Sequence, residues 1–278
     1  MKFVKLAAVT AITAGLVGGT IVASAAEETR SLDTEGTVDF READDDNNET
    51  IDPEPGPEEE ITIPGTQQGA FALAYVGNYD FGTRPNSALN QSYNAAAWWF
   101  DIDPDSEEYG NPEWPEGEEP DYINVYDGTA ARAHFAQVRD LRSDLTGWNL
   151  ALKQAGQFKS GDKELKGAKI TFQNGVAQNT SGEVPNVNNN PFTIEPEESR
   201  VIMSTKSNDE GFGLSSVMWG VKADLTLDKD VTGGLSNPSV QLSVPGSTRT
   251  SAGEAYKTTL EWTLQSGPEN IVEDEDNI

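Results

Sequence analysis

The chain has 278 residues, a formal net charge of -28, one histidine and no cysteine. The absence of cysteine excludes thiol catalysis, cysteine-ligated zinc and disulfides, so a core must stabilise one large β domain or two small ones. His134 alone cannot build a His-rich metal site, and any serine-histidine-aspartate triad would depend on it. We expect no nucleic-acid partner, because the strong negative charge repels a polyanion.

The first 26 residues have the pattern of a secretory signal peptide. Lys2 and Lys5 precede an uncharged run over Leu6–Val22, and Ala23–Ala25 (A-S-A) fits the small-residue cleavage rule. Gly and Thr dilute the run, which favours cleavage over a membrane anchor, since an anchor needs about 20 strongly apolar residues. We therefore predict a signal peptide over residues 1–26, a secreted protein, and no membrane span in the mature chain.

The next segment, residues 27–60, is dense in acidic side chains. Asp44–Asp46 and Glu58–Glu60 flank a proline-rich stretch that reads D-P-E-P-G-P, and few large apolar residues interrupt the segment. Such a composition buries too little apolar surface to offset the entropy of ordering, so we predict a disordered, self-repelling acidic spacer. A ligand-binding or calcium-collecting tail is the functional alternative.

From Ile61 onward, bursts of Val, Thr, Phe, Tyr and Trp alternate with Gly, Pro and Asn. Many short strands separated by turn signals predict a mainly β fold over residues 61–278. We expect a single β-sandwich or irregular β-barrel-like domain with long loops. Thr129–Leu141 is the best rival for a helix, and its pattern leaves that choice open. The predicted strands are Ala70–Val76, Ala96–Ile102, Tyr122–Tyr126, His134–Arg139, Trp148–Leu152, Lys169–Phe172, Phe192–Ile194, Val201–Ser204, Ser216–Ala223, Leu225–Leu227, Val240–Val244 and Tyr256–Leu264.

Three stretches fall outside this strand pattern. Residues 103–121 are rich in acid, Pro and Gly, which predicts an acidic surface insertion. Gly175–Pro191, with its Asn-rich centre, is predicted to be a second loop. The acidic tail Glu269–Ile278 is expected to fray.

No residue pattern indicates catalysis, a cofactor or a metal. Asp101–Asp105 reads D-I-D-P-D like the start of an EF-hand loop, but Ser106 and Pro112 replace the required glycine and bidentate glutamate. A glycosidase with two carboxylates about 5–10 Å apart needs neither His nor Cys, and the many acidic residues leave such a pair possible but unidentifiable. We predict a non-enzymatic protein without cofactor or metal.

Tyr256–Leu264 (Y-K-T-T-L-E-W-T-L) has the clearest strand pattern in the chain. Its alternation places Leu260, Trp262 and Leu264 on one apolar face and polar residues on the other. A second W-x-L triplet, Trp148–Leu150, also lies in a strand pattern, so we expect the two strands to be close in space. The period favours core packing for both triplets, while stacking of exposed indoles on sugar rings is the functional alternative.

Several blocks of this sequence resemble the WxL domains of surface proteins from low-GC Gram-positive bacteria, in the same order. They are similar to the family's D-F-G block, its proximal V-x-D…G-W-x-L motif and its distal Y…L-x-W-x-L…P motif. The resemblance extends from about Ile61 to Asn270. The similar residues are Tyr79–Gly82, Gln137–Asp140, Gly147–Leu150, Tyr256, Leu260–Leu264 and Pro268.

The resemblance implies an extracellular protein that binds the Gram-positive cell wall non-covalently, with peptidoglycan as the ligand. It leaves open docking on a companion surface protein and adhesion to host extracellular matrix. Many family members carry a functional region upstream of the domain, where this chain has only the acidic spacer. No LPxTG-type sorting signal is visible, which also predicts non-covalent retention. The implied wall-binding motif residues are Trp148, Leu150, Trp262 and Leu264.

Five lysines follow the first triplet in a chain that is otherwise poor in basic residues. The Gram-positive wall is polyanionic and would repel a chain of this charge unless a local basic patch faced it. We therefore predict a candidate basic patch, with scattered lysines on a solvated loop as the alternative. The patch would consist of Lys153, Lys159, Lys163, Lys166 and Lys169.

Overall fold

The computed structural model describes residues 38, 41, 43–54, 65–99, 131–143, 146–205 and 210–267, with only the backbone of Trp99. The chain divides into Met1–Phe40 and Arg41–Ile278, and the sheets belong to the second unit. The predicted signal peptide, the insertion 103–121, the EF-hand-like stretch and the C-terminal tail lie outside the described residues. Within those residues, no helix is long and apolar enough to cross a membrane.

The described residues form strands and one short 3-10 turn, Lys222–Asp224. The strands are β1 (Phe71–Val76), β2 (Gln91–Ala96), β3 (Trp98–Trp99), β4 (Ala131–Arg132), β5 (Phe135–Asp140), β6 (Trp148–Gln154), β7 (Lys159–Ser160), β8 (Lys163–Glu164), β9 (Lys169–Phe172), β10 (Gly175–Asn179), β11 (Asn186–Val187), β12 (Phe192–Ile194), β13 (Ser199–Ser204), β14 (Gly213–Trp219), β15 (Thr226–Leu227), β16 (Leu235–Val244) and β17 (Leu260–Ser266).

Three larger antiparallel sheets surround one core. Their strand orders are β1-β5-β14-β10, β11-β13-β6-β17 and β12-β9-β16-β15, and β2 also pairs with β16. Two small hairpins, β3-β4 and β7-β8, complete the described architecture. Side chains from all three sheets meet in the core, among them Val138, Leu150, Trp219, Phe172 and Val240. The predicted mainly β class is therefore confirmed.

The described part of the stretch that the sequence left undecided between helix and strand contains two strands. They are β4 and β5, and β5 pairs with both β1 and β14. Ala136 and Val138 face the shared core, while the alternate residues Gln137 and Arg139 face the other side of the sheet. The alternation of small apolar and long polar residues suits a strand between two neighbours better than a helix.

Several sequence predictions about strand positions are wrong; for example, the predicted strand Ser216–Ala223 is β14, Gly213–Trp219, followed by the 3-10 turn. The predicted loop Gly175–Pro191 contains β10 and β11, which pair with β14 and β13. The two strands read G-V-A-Q-N and N-V and show no apolar alternation. Backbone pairing with a neighbouring strand holds each of them in its sheet. The distal strand also begins at Leu260 instead of Tyr256, and Lys257 pairs with Lys159 as an isolated bridge.

The acidic segment is ordered where the structure describes it. Residues 43–54 lie within the second unit, and Asp52 is buried with its carboxylate against Arg132. The backbone of Ile51 is hydrogen-bonded to the Gln137 side chain. The disordered spacer over residues 27–60 stays a prediction, and the contacts described here belong to residues 43–54. Composition does not reveal these contacts, because the partners are cationic and amide side chains far along the chain.

Candidate functional site

The two W-x-L triplets lie on neighbouring strands. β17 pairs with β6 so that Leu264 faces Leu150, Trp262 faces Leu152 and Ser266 faces Trp148. The prediction that the two strands are close in space is confirmed. Because the strands are antiparallel, the two leucines meet in the middle and the two tryptophans lie towards opposite ends of the pair.

The proximal triplet is enclosed by the protein. Trp148 and Leu150 have no solvent exposure, and the Trp148 backbone N–H donates to Thr205 Oγ1 at 2.9 Å. Gly211, with a φ of +84°, fits so tightly that a Cβ atom there would lie 2.7 Å from Trp148 Nε1. These two residues of the implied wall-binding motif therefore present no surface to a polymer, and they act as core.

The distal triplet is only half-buried. Trp262 and Leu264 lie against the core, while Glu261, Thr263 and Gln265 on the opposite face are exposed. The Trp262 ring lies 6.1 Å from the ring of Trp219, centroid to centroid. The inward orientation predicted for this face is therefore confirmed.

A groove of about 1300 Å³ runs beside the distal triplet. Trp262, Tyr256 and Tyr93 contribute aromatic surface to it, and Asp80 and Lys257 contribute polar groups. All three aromatic residues are half-buried, so each ring is anchored in the protein and retains accessible area. The groove combines flat aromatic surface with dispersed polar groups.

The Y-D-F-G block forms one wall of this groove. Asp80 Oδ1 accepts the Gly82 N–H at 2.9 Å, and Thr83 N–H donates to the Asp230 carbonyl oxygen at 2.8 Å. Phe81 is buried, and its ring lies 6.3 Å from that of Phe158. The block therefore makes a turn that anchors its phenylalanine in the core and its backbone against Asp230.

An arginine on the same wall is held in place by carboxylates. Arg84 Nη1 and Nη2 donate to the two Asp228 carboxylate oxygens at 3.0 and 2.8 Å, and Asp230 lies 3.6 Å away. The guanidinium carbon is 5.2 Å from the centroid of the Tyr93 ring. Arg84 thus holds Tyr93 beside the groove, and the two aspartates balance the positive charge of the guanidinium. Sequence reasoning missed Tyr93 because its strand, Q-S-Y-N-A-A, lacks a strong apolar alternation.

The single histidine lies in the core. His134 is buried, stacks on Tyr79 with 4.6 Å between ring centroids, and Nδ1 lies 3.3 Å from Asn237 Nδ2. Burial lowers the pKa of His134 to about 3, against a weaker opposing effect of a backbone hydrogen bond to Asn78. The neutral, enclosed ring is a packing residue. Among the described residues, no group of three potential ligands could hold a metal ion.

The five lysines do not share one free basic surface. Lys153 is paired with Glu197 and Lys163 with Glu254, each at 2.7 Å, and Lys169 is paired with Glu195. Lys159 and Lys166 are exposed and form no ion pair with the described residues. The glutamates paired with three of the five lysines therefore offset much of the positive charge of this lysine cluster.

A comparison with protein-family models matches residues 27–268 to the WxL domain, described as a surface cell wall-binding domain. The matched region includes the acidic segment, part of which packs on the sheets. Comparisons with curated proteins and with solved structures gave no significant match. The family match covers most of the chain, and the structure pairs its two W-x-L strands directly. The chain therefore belongs to the WxL family of surface cell wall-binding domains.

Proposed function

We propose that this extracellular domain attaches non-covalently to peptidoglycan through the groove beside the distal W-x-L triplet. The observation that supports this proposal is the position of Trp262, a motif residue, at the edge of a groove that also exposes Tyr93 and Tyr256. Anchored aromatic rings offer flat apolar area at low entropic cost, which suits the faces of sugar rings. Polar groups such as Asp80 and Lys257 would bind hydroxyl and amide groups between those rings.

The proposed attachment requires no catalysis. Asp80 supports the turn at Gly82, and its other oxygen lies 3.3 Å from the Thr232 hydroxyl. Asp228 and Asp230 hold Arg84. These carboxylates therefore have structural roles in the wall of the groove. The family match is also to a binding domain.

A pull-down with purified sacculi tests the proposal. We expect the wild-type chain to sediment with sacculi, and Trp262→Ala and Tyr93→Ala to lower its affinity about tenfold, equal to about 1.4 kcal/mol. Thr263→Ala is the matched control, because Thr263 is exposed on the opposite face of the same strand. Circular dichroism would establish that each variant is folded.

Two results would contradict the proposal. One is a wild-type chain that fails to bind purified sacculi. The other is a pair of folded groove variants that bind as tightly as the Thr263→Ala control. Stripped cells and matrix proteins, assayed in parallel, would reveal the companion-protein and adhesin alternatives.

Docking on a companion surface protein is the second candidate, and the position of β17 favours it. Among the strands that the structure describes, β17 is at the edge of its sheet and is paired on one side with β6. Gly267 N–H donates to the Gly147 carbonyl, so Gly267 is in a hydrogen-bonded pair with β6. Because such pairs alternate along antiparallel strands, the backbone N–H and C=O groups of Trp262 and Leu264 point away from β6. Such an edge accepts an added strand. Binding to whole cells or to a companion protein, without binding to sacculi, would favour this candidate.

A further inference from the structure

Two lysines lie side by side at the rim of the groove. Lys257 N–H donates to the Lys159 carbonyl at 2.9 Å, and Lys159 N–H donates to the Lys257 carbonyl at 2.8 Å. These bonds form an antiparallel bridge between the β7-β8 hairpin and the chain that leads into β17. Side chains of directly opposed residues project from the same side of such a pair. Both lysines are exposed, and Lys257 lines the groove. The bridge therefore presents two ammonium groups together at the groove.

These two lysines differ from their neighbours in their ion pairing. Lys153, Lys163 and Lys169 each face a glutamate, whereas Lys159 and Lys257 form no ion pair with the residues that the structure describes. Like charges directly opposite each other destabilise a strand pair. An anion bound by both ammonium groups would remove that repulsion.

Glu164 is the carboxylate that faces Lys159 from within the hairpin. It lies opposite Lys159 in the β7-β8 register and is half-buried, and the two side chains form no ion pair. The row formed by Glu164, Lys159 and Lys257 therefore carries one positive charge in excess. Glu254 also lines the groove, but it accepts a hydrogen bond from Lys163 Nζ at 2.7 Å. Its charge is thus already offset by a different lysine.

We infer that Lys159 and Lys257 form a binding site for an oxyanion of the wall polymer, either a carboxylate or a phosphate. The inference rests on the proposed function, because the site adjoins the groove that would hold the sugar rings. Each ammonium group has three donors and no acceptor, so two of them together suit the several oxygens of such a group. Tyr256 precedes Lys257 and lines the same groove, so a polymer stacked there would pass the bridge. The site would give a strongly negative protein a local attraction to a polyanion.

The site is tested by sacculus binding of the full-length chain at low and at high salt. Lys159→Gln with Lys257→Gln should weaken binding about fivefold at low salt, the effect of two exposed ion pairs. The loss should shrink at high salt, because ions screen exposed charges. Lys153→Gln with Lys169→Gln removes the same charge from lysines that face glutamates, and should change the affinity by less than about twofold. Circular dichroism establishes that each variant is folded.

Two further variants separate charge from structure. Lys159→Arg with Lys257→Arg keeps both positive charges and should bind like wild type. Glu164→Gln removes the carboxylate from the row, so we expect about twofold tighter binding at low salt. A variant that only disturbed the hairpin would not bind more tightly. Binding by folded Glu164→Gln that is no tighter than wild type would contradict the inference.

The source of the oxyanion is distinguished by the polymer that is offered. Sacculi treated with hydrofluoric acid lose their phosphate polymers and keep the carboxylates of their peptides. A loss of affinity in Lys159→Gln with Lys257→Gln that persists on treated sacculi assigns a carboxylate. A loss confined to untreated sacculi assigns a phosphate. Either result supports the lysine site.

The contrary outcomes are distinct from those of the proposed function. A folded glutamine pair at Lys159 and Lys257 that binds as tightly as the Lys153 and Lys169 control would overturn the site. An arginine pair that binds as weakly as the glutamine pair would also overturn it. If Trp262→Ala still weakens binding in those cases, only the lysine site fails. A wild-type chain that does not bind sacculi would contradict both proposals.

Discussion

Leu264 lies directly opposite Leu150 in the β17-β6 pair, yet Leu150 is fully enclosed while Leu264 is only half-buried. The difference arises because β6 lies between β13 and β17, whereas β17 is the last strand of this sheet within the described part of the chain. The two triplets therefore have different roles. The proximal one completes the core, and the distal one joins the core to the groove beside Trp262.

Trp148→Ala should strongly destabilise the domain. Removing a fully buried tryptophan leaves a cavity and costs about 3–5 kcal/mol of unfolding free energy. Urea unfolding measures this loss. Thr263→Ala, on the exposed face of β17, should stay within about 0.5 kcal/mol of wild type. An equal change in both variants would contradict the assignment of Trp148 to the core.

Gly82→Ala should destabilise the turn that forms one wall of the groove. Gly82 has a φ of +77°, and a Cβ atom there would lie 2.1 Å from the Asp230 carbonyl oxygen. Backbone strain and this clash together should cost about 1–3 kcal/mol and also weaken sacculus binding. Gly161→Ala is the control, because Gly161 has a φ of +56° but open space around it. Comparable losses of unfolding free energy in both variants would exclude the clash as the main cause.

The stability of the domain should fall with acidification partly through His134. Its pKa is about 3 in the folded state against an ordinary value of 6.5, so below about pH 6 the unfolded chain binds a proton that the folded chain does not. The contribution of neutral His134 to the free energy of unfolding is fully present above pH 6.5. As the pH falls towards 3, that contribution is lost at a rate of up to about 1.4 kcal/mol per pH unit. His134→Gln should therefore show a shallower fall in unfolding free energy between pH 7 and pH 4. Identical slopes would contradict the buried neutral state.

Binding to the wall should depend on Lys159 and Lys166, which form no ion pair with the described residues, more than on the paired lysines. Lys159→Glu with Lys166→Glu should weaken sacculus binding at low salt and have less effect at high salt, because ions screen exposed charges. Lys163→Glu with Lys169→Glu makes the same change in net charge at positions that already face Glu254 and Glu195. We expect a smaller loss of binding to sacculi from that pair. Equal binding by both double variants at low and high salt would remove any role for these lysines.

Local sequence was sufficient for the fold class and for the presence of the two motif strands, though not for the start of the distal one. β9 and β12 begin and end where their short apolar alternations predict, at Lys169–Phe172 and Phe192–Ile194. The alternation of Leu260, Trp262 and Leu264 predicted their shared inward face. The two W-x-L triplets also predicted the family and the closeness of β6 and β17. The shared inward face is set by the period of residues within one strand, whereas the family followed from the resemblance of several motif blocks in order.

Only the tertiary structure decided which motif residues are enclosed and which part of the acidic segment contacts the sheets. Trp148 and Trp262 have the same local pattern, but their burial depends on whether strands flank them on both sides. From the sequence alone, Asp52 is expected to be a solvated carboxylate. In the fold it is paired with Arg132, which is 80 residues away in the sequence. Burial and charge pairing are properties of neighbours in space, and a linear pattern does not contain those neighbours.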